Sequence, residues 1–113
     1  MAIGFLSRGG ELWDHLGLPK GKADMLSVRG LVRAMRGEHV ESHDDLTQAI
    51  RQYAVLGHQP GEAIAFKRFG RALLLAGDVD NAREQLVQAR ALFEAMEATL
   101  QVQHTQALLD ALE

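Results

Sequence analysis

Cysteine is absent from this 113-residue chain. That excludes a disulfide framework, a thiolate zinc site and a cysteine nucleophile, and leaves no mark of redox compartment. Long apolar runs are also missing. The longest, such as ALLLA at 72–76, fall far short of the roughly 20 residues that span a bilayer. The opening MAIGFLSRGG has no basic segment followed by a long apolar one, so it is not a secretory signal. With no membrane segment or signal, the cytoplasm is the default location. An excess of positive charge is lacking as well: 12 Lys and Arg stand against 15 Asp and Glu, for a net charge of −3. This argues against direct nucleic-acid binding, which normally needs a basic footprint. Phosphate loops are missing too, because Gly9-Gly10 and Gly17–Gly21 fit neither GxxxxGK[ST] nor GxGxxG. Only two prolines occur, each within two residues of a glycine, the kind of cluster at which helices break.

What is present is repetition. Hydrophobic residues make up 47% of the chain and charged residues 24%, the balance of one folded domain. LWDHLGLPKGKA at 12–23 is echoed by QYAVLGHQPGEA at 52–63, an offset of 40. At the same offset Gly30 pairs with Gly70, Gly37 with Gly77, Leu46 with Leu86, Gln48 with Gln88 and Ala49 with Ala89. Tyr53 and Phe93 continue the register, and Trp13 precedes Tyr53 by another 40. A fixed period of this length marks a solenoid, whose units bury their apolar faces by stacking on neighbours.

Ala, Leu, Gln, Glu and Arg fill the segments between the glycine joints, and no alternating strand pattern persists. The composition predicts helices at 2–16, 22–36, 39–56, 61–76, 79–97 and 99–112, with Asp78 placed to cap the fifth. The expected fold is therefore all-α: about six helices in antiparallel hairpins, stacked as a short right-handed solenoid. A single domain, 1–113, divides into a leading half-repeat (1–22), repeat one (23–62), repeat two (63–102) and a C-terminal capping helix (103–113). Gly70, Ala82 and Ala89 should let two backbones approach within a unit while Phe66, Phe69, Leu73, Leu86 and Phe93 fill the space around them.

The segment AFKRFGRALLLAGDVDNAREQLVQA at 65–89 resembles the tetratricopeptide repeat (TPR), with Phe66, Phe69, Gly70, Leu73, Gly77, Ala82, Leu86 and Ala89 at its signature positions. The earlier unit keeps Leu26, Gly30, Gly37, Leu46 and Ala49 but has Arg29, Arg33 and Ser42 where apolar residues or Ala are usual. Both units exceed the usual 34 residues, and the longer period, with Ala-Leu-Phe-Glu-Ala-Met at 91–96, is similar to repeats in sensor regions of bacterial transcription regulators. The resemblance implies a non-catalytic module with no cofactor, binding a peptide or protein in a groove lined by the first helix of each unit. The corresponding positions include Lys67, Arg68, Arg71 and Leu75 in one unit and Leu31 and Met35 in the other.

Lys67, Arg68 and Arg71 share a helical face suited to an acidic peptide or a C-terminal carboxylate. A simply solvated face would carry the same residues. Arg29, Arg33 and Arg36 form a second stripe, where the next unit has Phe69, Leu73 and Ala76. It reads either as a polar end cap or, with Trp13, as a surface for a homodimer or an acidic partner. His39 and His43 lie four apart beside Glu38, Glu41 and Asp44. No third ligand is fixed by that spacing, so no metal site is expected. Ser7 and Ser27 have no His and acidic partner in a recognisable order, so the chain reads as no enzyme. The functional reading is a protein-interaction or assembly module, forming a homodimer. The alternative is a ligand-sensing or regulatory fragment of a larger bacterial transcription regulator.

Overall fold

The computed structural model describes residues 19–113. The helix expected at 2–16, together with Trp13, lies outside them. Among the described residues there are five α-helices and no strand. They are α1 (Pro19–Met35), α2 (His39–Leu56), α3 (Gln59–Leu75), α4 (Val79–Ala95) and α5 (Thr99–Asp110). α1 packs on α2, α3 on α4, and α4 on α5, while α3 also packs on both α1 and α2. Successive helices that pack across turns of two or three residues run antiparallel.

Backbone chemistry at the turns explains their regularity. Helices α2 to α5 start at residues 39, 59, 79 and 99, so the 40-residue period is itself two halves of 20. At the first turn Gly37 N–H donates to the Ala34 carbonyl and Glu38 N–H to the Arg33 carbonyl, and the same pair of bonds recurs at 57/58, 77/78 and 97/98. This closure satisfies carbonyls left open at a helix end and needs a left-handed residue. Gly37, Gly57 and Gly77 supply it at φ 81°, 66° and 83°. Glu97 adopts φ 57° and bears the cost of about 1 kcal/mol that a Cβ meets there.

Two starts precede the expected residues 22 and 61, because Pro19 and Pro60 lie inside the helices. A first-turn N–H has no intrahelical acceptor, so proline loses nothing there. Gly61 is buried on α3, and a Cβ on it would overlap the Tyr53 ring. It is a packing residue rather than a joint. Asp78 does cap α4, its side chain accepting from Asn81 N–H at 3.3 Å, and His58 Nδ1 accepts from Gly61 N–H at 2.9 Å on α3.

The core lies where small residues admit large ones. A Cβ on Gly30 would stand 2.5 Å from Leu46 Cγ, and one on Gly70 2.6 Å from Leu86 Cγ. Either is closer than real carbon contacts allow, so both helix pairs cross at a bare glycine. Ala34, Leu46, Phe69 and Ala72 form one buried cluster, and Ala23, Leu26, Ala49, Tyr53 and Ala65 another. Each cluster draws on α1, α2 and α3, so the first helix pair and α3 share one core.

Candidate functional site

Helix α3 turns 100° per residue, which brings Lys67, Arg68 and Arg71 within one 100° sector. Their environments differ. Lys67 is only 9% exposed; its Nζ donates to Gln101 Oε1 of α5 at 2.9 Å and contacts His104 Nδ1. Burial, followed by the charges of Arg71 and Arg68, pushes its pKa below the ordinary lysine value. Arg68 Nη1 donates to Ser27 Oγ of α1 at 2.9 Å, while Arg71 is exposed. Among the described residues no carboxylate pairs with any of the three. The helical face thus carries a buried Lys67, a half-buried Arg68 and an exposed Arg71, with an amide and an imidazole of α5 and a hydroxyl of α1 as their partners. Leu31 is half-buried, and Met35 and Leu75 are 65% and 53% exposed, so apolar surface accompanies the charges.

The second arginine stripe is engaged within the chain. Arg29 grips Asp45 of α2 bidentately, Nε to Oδ2 and Nη2 to Oδ1, both at 2.9 Å. Arg33 Nη1 donates to the same Oδ2 at 3.2 Å, and its Nε lies 3.9 Å from Glu38. The hydrogen bond from Arg29 holds the Asp45 carboxyl below its ordinary range, against the opposing effect of burial. Arg36 is exposed and has no carboxylate partner among the described residues.

A further polar contact ties the two ends of this unit. The Tyr53 hydroxyl donates to Asp24 Oδ1, and Lys20 Nζ to Asp24 Oδ2 at 2.8 Å. Burial works to raise the Asp24 pKa, but the bonds from Lys20 and Tyr53 outweigh it and hold it low. Burial and the Asp24 bond together raise that of Tyr53. His43 sets its ring edge-on to Phe69, centroids 5.1 Å apart. Among the described residues no group of three or more His, Cys, Asp or Glu could hold a metal ion. No described helix is long and apolar enough to cross a membrane.

Asp45, Gln101 and His104 escape a reading of the sequence alone. A signal for Asp45 exists in the 40-residue register: Arg29, Arg33 and Asp45 replace Phe69, Leu73 and Gln85. Two cations and an anion entering an apolar neighbourhood together point to an ion pair. Gln101 and His104 give no such signal: at the 40-residue offset they fall on Gly61 and Ile64, a comparison that points to no contact with Lys67. Comparison with protein-family models, curated proteins and solved structures finds no match.

Proposed function

We propose that this chain is a non-catalytic, TPR-like interaction module whose groove, along α1 and α3 and flanked by α5, takes an acidic peptide or a C-terminal carboxylate. The observation that carries the reading is the group Lys67, Arg68 and Arg71, cationic and without a described carboxylate partner. Lys67 is also partly desolvated, so an incoming carboxylate would find a charge screened less than a surface lysine. Arg71, exposed beside it, can offer a bidentate fork. Exposed Met35 and Leu75 would receive apolar side chains of the same peptide.

An acidic peptide with a free C-terminus should bind in a calorimetric titration, weakening as salt rises. Arg71→Glu, at an exposed position that does not endanger the fold, should lower affinity by about tenfold or more. Equal affinity of Arg71→Glu and wild type would reject the groove.

Self-association belongs to the same reading. Leu100 of α5 is 81% exposed, and Met25, Val28 and Val32 form an exposed apolar stripe along α1. Closed two-fold pairing is the commonest way for identical chains to cover such surfaces. Sedimentation equilibrium at micromolar concentration should return twice the 12.4 kDa chain mass. A monomer throughout would contradict the dimer.

A further inference from the structure

Lys67 and His104 meet where α3 faces α5, Nζ against Nδ1. An ammonium has three donors and no lone pair, so His104 Nδ1 must accept in this contact. The imidazole is then neutral, with its one proton on Nε2. Lys67 is buried, but His104 is exposed, and so is Arg71, one turn along α3 on the same face. The two exposed groups therefore flank the buried ammonium, and both are open to an acidic group arriving from solvent. The other charges around His104 come from three helices. Arg68 stands beside Lys67 on α3 and donates to Ser27. From α4, on which α5 packs, Arg90 Nη1 donates to Gln106 Oε1 at 2.7 Å, and its Nε lies 3.6 Å from Glu94. Besides His104, α5 carries one ionisable side chain, Asp110, which accepts from Gln106 Nε2 at 2.8 Å. Among the described residues no carboxylate lies within ion-pair distance of His104.

We propose, on the reading that this groove binds an acidic peptide, that His104 is one of its binding residues and that the peptide carboxylate is taken up together with one proton from solvent, held on His104 Nδ1. Protonation turns Nδ1 from an acceptor into a donor and ends its bond to Lys67. A carboxylate set between the two cations accepts from both, in charge-assisted bonds that replace the neutral one. The bound protein therefore holds more protons than the free protein, and linkage requires affinity to rise as pH falls through the histidine range, about 8 to 5. The ligand does not offset this gain, because Asp and Glu carboxylates stay ionised until pH nears about 4.

The probe is an N-acetylated octapeptide of alternating Glu and Leu, titrated calorimetrically into the whole chain at constant ionic strength. It should bind about tenfold more tightly at about pH 5.5 than at about pH 8, the effect of one unit of proton affinity. Repetition in buffers of different ionisation enthalpy should show net proton uptake on binding. His104→Gln keeps an acceptor for Lys67 but cannot take the proton, so it should flatten the pH profile. In the free protein at the higher pH, the imidazole nitrogen resonances should show Nδ1 bare and Nε2 protonated. The opposite tautomer would overturn the proposal. So would equal affinity at both pH values, or a pH dependence that survives His104→Gln. Absence of binding at either pH would reject the groove itself, and the proposal with it.

Discussion

The helix pairs α1–α2 and α3–α4 share a crossing and differ around it. Gly30 against Leu46 and Gly70 against Leu86 set both pairs at the same close approach. Beside that contact α3–α4 has Phe69, Leu73 and Gln85, whereas α1–α2 has Arg29, Arg33 and Asp45 joined as an ion-pair triad. Farther along, the Phe93 and Ile64 of one pair become the hydrogen-bonded Tyr53 and Asp24 of the other. The two pairs teach that the bare crossing defines the unit, while its surroundings tolerate exchange of apolar packing for satisfied polar contacts.

The crossing itself is where the comparison breaks most severely. Gly30→Leu and Gly70→Leu should each destabilise by about 3 kcal/mol through overpacking against Leu46 or Leu86. Equilibrium urea unfolding checks both, and a large loss in one pair with none in the other would end their equivalence.

A smaller loss, confined to α1–α2, is expected on removing the anion of its triad. Asp45 is 2% exposed and its two arginines 43% and 30%, so solvent takes up part of the stranded positive charge. Asp45→Ala should therefore cost about 2 kcal/mol, below the value for a fully buried pair. Converting the triad to its counterpart, Arg29→Phe with Arg33→Leu and Asp45→Gln, should leave stability at neutral pH equal or higher. The pH dependence sharpens the contrast. The Asp45 pKa is lowered from an ordinary 3.8 in the folded chain, so its contribution is complete above that value and lost as pH falls through the lower folded one. Wild type should lose stability below about pH 4 more steeply than the triple variant. Parallel acid-unfolding curves would show that the triad makes no net contribution.

These differences also mark how far the sequence could be read. The helical class and the breaks at 37, 57 and 77 were legible because glycine alone takes a left-handed turn without strain. The break at 97 carries no such mark, since Glu97 accepts the strain, and α4 accordingly ends before the expected residue 97. Pro60 and Gly61 look like a joint in sequence, yet the first lies in the opening turn of α3 and the second packs on Tyr53. The basic residues of α3 were legible as a face, because helical periodicity reports direction. Their partners were not: Gln101 and His104 lie 34 and 37 residues from Lys67, and no local pattern specifies such a contact. That the Ser42 hydroxyl goes unpaired is likewise a fact of three-dimensional packing alone.

The groove is the centre of the functional account, and Lys67 reports on it from within. Its ammonium pKa, followed through the side-chain carbon and nitrogen resonances, should lie below the ordinary 10.5 in the free protein because burial and the neighbouring arginines disfavour its charge. A bound carboxylate favours that charge, so saturation with an acidic peptide should raise the pKa and remove part of the depression. A Lys67 pKa that is unchanged in the peptide-saturated protein would contradict the groove as the place where the anion is held.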